Sequence, residues 1–123
     1  MVRADEAAAR AATPPEPGSG LAAQWLEGPH NAAQLDVGLV TLAPGGATPP
    51  HVHLGGQVIV VLTGEGFVET EGERIEIGPG DVVITPPGEL HTHGAVSHSP
   101  MAHLTVTTGG YSFPEPPPGT GTR

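Results

Sequence analysis

The sequence predicts an all-β domain, on three observations. Nineteen of the 123 residues are glycine and fifteen are proline, a turn-rich composition that suits short strands better than long helices. Apolar residues come in brief runs closed by breaks such as "APGG", "TGEG", "IGPGD" and "PPGE", the punctuation of a sandwich or barrel. No helical segments separate those runs, which disfavours a parallel α/β arrangement.

Taken in order, residues 1–20 are expected to form a flexible arm. They hold the one plausible helix, "DEAAARAA", too short to be more than marginal by itself, and end in a Pro/Gly/Ser cluster. A single domain over 21–113 follows, with strand-like runs at 22–28, 35–42, 47–54, 57–64, 66–72, 73–78, 81–86, 89–96 and 101–108. The tail, 114–123 ("PEPPPGTGTR"), has a composition that buries little surface and is expected to be loose.

The runs also differ in pattern. "ERIEI" alternates, placing Ile75 and Ile77 on one face and Arg74 and Glu76 on the other, so one side of that hairpin should meet water. "VIVVL" at 58–62 does not alternate, so both faces should be covered. The inner face would line the domain's interior. The outer would pack on a second sheet or a partner subunit, which suggests a homodimer or higher homo-oligomer. In "MAHLTVTT", Met101, His103 and Thr105 share one face, and Ala102, Leu104 and Val106 share the other.

Charge and cysteine content narrow the function classes. Thirteen acidic residues face four arginines and no lysine, for a formal charge of −9. That balance argues against nucleic acid and anionic membranes, whose binding needs cationic footprints, and favours a small-molecule partner. With no cysteine, any metal must be held by imidazole, carboxylate or amide groups. No apolar run reaches membrane-spanning length and no secretory h-region is seen, so a cytoplasmic location is expected.

The chemistry concentrates in histidine. His51 and His53, in "PPHVHLGGQ", stand two residues apart, so in an extended segment both rings point the same way. The Gly55–Gly56 pair allows a sharp return that brings Gln57 near the same point. A second His-x-His, His91 and His93, follows the turn "PPGE". Four inward histidines are costly unless something binds them. His30 and His98 sit in turn-rich segments and are expected to be solvated. The carboxylates of "VETEGERIE" look like a solvated hairpin face.

The spacing is specific. From Gly45 the chain reads Gly, five residues, His51-x-His53, three residues, Gln57, six residues, Gly64. From Gly80 it reads Gly, five residues, Pro86, one residue, Gly88, two residues, His91. These segments resemble the two motifs of the cupin family, with Gln57 where the first motif usually has Glu and Ala95 where the second often has Asn. The resemblance implies a double-stranded β-helix, the cupin jelly-roll barrel, holding one divalent metal on His51, His53, Gln57 and His91. Its alternatives are a cupin that keeps the histidines as polar lining without metal, and a Gln57 amide that faces the substrate above a three-histidine site. An amide in place of a carboxylate would leave a divalent ion its formal +2 charge, polarise a bound oxygen more strongly and welcome anionic ligands.

A narrower resemblance covers "PPHVHLGGQVIVVLTGEG", "IGPGDVVITPPGELHTHGA" and "MAHLTV". These are similar to the manganese-dependent bacterial hydroxynitrile lyase cupins, as is the short "WLEG" at Trp25–Gly28. The likeness implies manganese, with iron, nickel, cobalt and zinc as alternatives, and makes His103 of "MAHL" the proton-transfer residue. His93 would stand behind the ligands or at the rim of the cavity, and Val40, Ile59, Leu62 and Met101 would wall it. The expected activity is cleavage or formation of a C–C bond in a carbonyl or cyanohydrin-like substrate, with a Lewis-acidic metal and His103 moving the proton. A dioxygenase cleaving an enolisable substrate and a non-enzymatic small-molecule or metal-binding cupin are the alternatives.

Overall fold

The computed structural model describes residues 20–28 and 34–112. The expected tail, His30 and all of the expected arm except Gly20 lie outside the described residues. Within them the chain is all β, with strands β1 (Leu21–Glu27), β2 (Leu35–Leu42), β3 (Val52–His53), β4 (Gln57–Gly64) and β5 (Gly66–Thr70). The series continues with β6 (Glu73–Ile77), β7 (Val82–Thr85), β8 (Thr92–Ala95), β9 (Met101–Thr108) and β10 (Tyr111–Ser112). Every strand pairing is antiparallel. Five strands form one sheet in the order β1-β2-β9-β4-β7, three form a second in the order β6-β5-β8, and β10 pairs with β3.

β2, β4 and β9 begin and end where their sequence patterns do, because each is a β-branched run closed by turn residues. The expected strand over 47–54 is mostly absent. Pro49 and Pro50 lack the N–H groups that a ladder requires, so this segment meets β8 through the isolated bridge Ala47–Gly94 and the residue before β8 through His51–His91, and becomes a strand only at β3. β10 was outside the expected strands; it is set by its pairing with β3, Tyr111 opposite His53.

One core cluster draws on both sheets, including Leu42, Ile59 and Val61 from the larger and Val68, Ile77 and Ala95 from the smaller. The interior changes character along the strands. One row across the large sheet aligns Thr85, Gln57, Thr107 and Asp36, all buried and polar. Two registers further along lie Val61, His103, Val40 and Ala23, and Leu21, Leu42 and Met101 close the apolar end. Polar donors therefore sit above an apolar floor.

Two burial expectations need correction. Ile75 shares a face with Ile77 yet is 52% exposed, because β6 is the sheet's edge and its middle reaches past the core. "VIVVL" does alternate in burial, Ile59 and Val61 inward and Val58 and Val60 half-buried outward; the outer face is not covered among the described residues.

Glycine is required on β8, where the Gly46–Ala47 segment and the Phe67 ring of the neighbouring strand crowd Gly94. A Cβ on Gly94 would lie 2.6 Å from the Phe67 ring, 2.8 Å from the Gly46 carbonyl oxygen and 2.9 Å from the Ala47 Cβ. Backbone on one side and a ring on the other leave no room to yield. Gly94→Ala is expected to lower stability by about 1–3 kcal/mol, as overpacking does, read as an earlier midpoint in urea unfolding; an unchanged midpoint would contradict this packing.

Candidate metal centre

The two histidine segments are joined by reciprocal backbone hydrogen bonds. The His51 N–H donates to the His91 carbonyl and the His91 N–H donates to the His51 carbonyl, both at 3.0 Å. This pairing sets the two rings side by side, centroids 4.4 Å apart. Next along the chain, the His53 carbonyl accepts the Gly56 N–H at 3.1 Å and the Gly88 N–H at 3.0 Å, tying the turn of the first segment to that of the second. Gly56 has φ of +88°, and a Cβ there would lie 2.9 Å from the Thr85 carbonyl oxygen, so glycine is what lets Gln57 return to the site.

His51, His91 and His93 form a buried cluster whose ligand nitrogens lie within 4.8 Å of one another. Other expected donors adjoin it. His53 Nε2 is 3.1 Å from His51 Nε2, and Gln57 Oε1 is 2.9 Å from His91 Nε2. His93, expected behind the ligands or at the rim, is buried within the cluster itself, its ring stacked on His91 at 5.8 Å and edge-on to His51 at 5.5 Å. His103, fully buried on β9, joins through His93: its Nε2 is 3.2 Å from His93 Nδ1. Val40, Ile59 and Met101, expected as walls, are buried and face inward. Leu62 is not. The alternation of β4 sets it outward with Val58 and Val60, at 47% exposure, just where the register against β9 shifts between Val61 and Thr63.

Burial governs the charge of these rings. It lowers His51 to about 4, with the Pro49 carbonyl opposing and His91 adding to the effect. It lowers His53 to about 3, helped by His51 and His91, and His103 to about 4, opposed by the Leu104 backbone. His91 falls below the usual histidine value, and His93 well below it, for the same reason of burial. All five are neutral near pH 7 and offer lone pairs, as ligation requires.

The hydrogen-bond geometry tests whether the donors fit a cation. A neutral imidazole has one N–H. His91 faces two oxygens, the Glu89 carbonyl 3.1 Å from Nδ1 and Gln57 Oε1 2.9 Å from Nε2. Whichever nitrogen holds the hydrogen, the other contact sets a ring lone pair against an oxygen lone pair. The Gln57 amide is turned with its Nε2 donating to Thr105 Oγ1 at 2.6 Å and its carbonyl oxygen toward His91. A cation between the two acceptors turns the conflict into coordination. His51 is oriented in the same way, with Nδ1 2.7 Å from the Pro49 carbonyl and Nε2 directed into the cluster. Adjacent ligands of a six-coordinate ion with bonds of about 2.1 Å lie about 3.0 Å apart, close to the 3.1 and 2.9 Å separations seen. The residues fit a divalent metal. Thr105 was not among the expected site residues; the alternation of β9 places it inward beside His103, but only the fold brings it to Gln57.

Residues 38–107 match the family described as the cupin domain. The chain is 46% identical over 68 residues to an (R)-mandelonitrile lyase of Granulicella tundricola, a stretch covering 54% of this chain and 52% of the lyase. It is 33% identical over 82 residues to a gentisate 1,2-dioxygenase of Ralstonia sp., covering 66% of this chain and 23% of that enzyme. The match thus spans about half the length of the lyase and less of the dioxygenase. A solved cupin-like protein from Thermotoga maritima has a TM-score of 0.70 at 29% identity, with 76% of this chain and 74% of that one covered. The polyketide cyclase RemF from Streptomyces resistomycificus has a TM-score of 0.76 at 25% identity, with 92% and 83% covered. No helix among the described residues is long and apolar enough to cross a membrane.

Two outcomes are expected of this geometry. Thr105→Val removes the acceptor that orients the Gln57 amide and should weaken metal binding by about 10–100-fold, measured by chelator competition; Thr105→Ser should restore it. The second concerns pH. The unfolded chain takes up protons on His51 and His53 near the ordinary value of 6.5, whereas the folded chain does so only near 4 and 3. Between those limits the unfolded state holds more protons, so the metal-free protein loses stability as the pH falls. Its urea midpoint should drop from about pH 7 to about pH 4; a flat profile would mean that the rings are not buried in the neutral form.

Proposed function

The chain belongs to the cupin family, and from that premise we propose that it is a metal-dependent enzyme of the hydroxynitrile lyase type, acting on a cyanohydrin or the corresponding aldehyde and cyanide. Its two main sheets are taken as the halves of a double-stranded β-helix. The ion is assigned to His51, His53, Gln57 and His91, with His93 adjoining. The observation that carries the proposal is the opposition of acceptor atoms at His91 and Gln57, 2.9 Å apart, in a cluster of neutral imidazoles. The 46% identity to a mandelonitrile lyase supports the choice of reaction.

When bound, a divalent ion ringed by neutral donors supplies Lewis acidity, manganese being the preferred candidate and iron, nickel, cobalt and zinc the others. The chain's own groups do the rest. Gln57, fixed by Thr105, contributes an oxygen without a charge. His103 and His93 form a neutral pair that accepts the cyanohydrin hydroxyl proton as the bond to the cyanide carbon breaks and its electron pair leaves with cyanide. The same pair returns the proton to give hydrogen cyanide and the aldehyde. Burial keeps both rings unprotonated and so available as bases at neutral pH. Apolar Val40, Ile59 and Met101 keep water from the floor of the site.

The test is elemental analysis of purified protein together with mandelonitrile cleavage followed by benzaldehyde release. The expected result is a bound divalent metal and turnover without oxygen. His103→Ala should then lower kcat by about 100-fold or more while metal content is kept. Oxygen uptake with gentisate would instead favour the dioxygenase reading raised by the second relative, and a ligand retained but never converted would favour a binding protein.

A further inference from the structure

Glycine at position 38 supplies room rather than conformation. Its φ is not positive, so an ordinary residue could adopt its backbone. A Cβ there would nevertheless lie 3.1 and 3.2 Å from Cε3 and Cζ3 of Trp25 and 3.5 Å from Cγ2 of Thr105. The six-membered ring of the indole therefore lies over the Gly38 backbone, and the Thr105 methyl borders the same space. Register explains the meeting. Trp25 on β1, Gly38 on β2, Thr105 on β9, Ile59 on β4 and Val83 on β7 form one row across the inner face. Trp25 closes that row on the edge strand, half-buried and packed on the core cluster.

Thr105 carries its methyl and hydroxyl on one stiff carbon, so the place of one fixes the place of the other. With the methyl toward Gly38 and Trp25, the hydroxyl accepts from Gln57 Nε2 at 2.6 Å. That bond in turn leaves Gln57 Oε1 facing His91. Rotated the other way, the hydroxyl would lose Gln57 and enter a space closed by an aromatic ring, at the cost of an unmet polar group. We propose that Trp25 is a positioning residue for the metal centre: its indole keeps water from the space over Gly38 and so holds Thr105 in the rotamer that aims the Gln57 carbonyl oxygen at the ion. Without the ring, water reaches that space and gives the threonine hydroxyl a second partner. The amide then loses the contact that distinguishes its two ends, and a turned amide presents N–H donors, which no cation accepts. The inference rests on the assignment of Gln57 to the ion and is independent of the reaction.

The experiment has two readouts on the full chain. The first is solvent exchange of the Gln57 side-chain amide protons, followed by NMR of the nitrogen-15-labelled, metal-free protein. Exchange is expected to be slow in the wild type and about 10-fold faster in Trp25→Ala, as loss of one hydrogen bond implies. The second is affinity for Mn²⁺ alone by chelator competition, expected to weaken about 10-fold in the same variant. Trp25→Phe keeps an aromatic cover and is expected to restore both. Trp25→Gln, closer to the ring in length, opens the same route for water and replaces the alanine variant if circular dichroism shows that variant unfolded. Val83→Ala, at the opposite end of the row, is expected to lower the melting temperature and move neither readout. Unchanged amide exchange without the indole overturns the role of Trp25, as does an equal acceleration in Val83→Ala. A wild type with no affinity for Mn²⁺ overturns the metal assignment itself.

Discussion

The site depends on one backbone contact, the reciprocal hydrogen bonds between His51 and His91. The first histidine segment contains two prolines and cannot form a ladder of its own. Its place is therefore set at a few points: the Ala47–Gly94 bridge, the Thr48 N–H to the His93 carbonyl at 2.9 Å, and the His51–His91 pair. From that pair the rest follows. His53 lies two residues on, its carbonyl holding the amides of both glycine turns, and the chain re-enters the large sheet at Gln57. Ring placement is thus a consequence of backbone pairing between distant segments, which is why a side chain as long as glutamine reaches His91 at hydrogen-bond distance.

Gathering five histidines in one interior has a cost that ordinary packing would not offset. Burial drives every ring toward the neutral form, and leaves more acceptor lone pairs than N–H groups to meet them. Backbone carbonyls take up two of the hydrogens, from His51 at Pro49 and from His91 at Glu89. The nitrogens facing inward are then directed at one another and at Gln57. Such an arrangement is poor as a core and good as a cage: what is unfavourable without a cation becomes coordination with one. The absence of a carboxylate from the donor set also separates this site from one built to neutralise its ion.

Much of this was legible in the chain because it is local. The bounds of β2, β4 and β9 follow from β-branched runs between turn residues, and the two-residue spacing of His51 and His53 and of His91 and His93 places each pair on one side of an extended segment. The remainder is non-local. Ile75 carries the pattern of an inward residue, and only its position on an edge strand exposes it. His93 has the same local signature as a rim residue or a ligand neighbour; stacking on His91 decides its place. Thr105 becomes a partner of Gln57 across forty-eight residues, a distance over which no short motif carries information.

The large sheet inverts the usual relation between burial and polarity. Along β9 the inward side chains are Met101, His103, Thr105 and Thr107, and the outward ones Ala102, Leu104, Val106 and Thr108. β4 begins in the same way, with Gln57 inward and Val58 outward. A strand of a simple half-buried sheet would carry the opposite assignment, because water is the natural partner of polar groups. Inversion is stable only when the inside supplies partners for the polar residues and the outside supplies cover for the apolar ones. The inside does so through the histidine cluster and the Gln57–Thr105 contact. The same alternation that aims donors at a metal therefore leaves an apolar row on the far side of each strand. A site on one face and a bare apolar surface on the other are two results of one pattern.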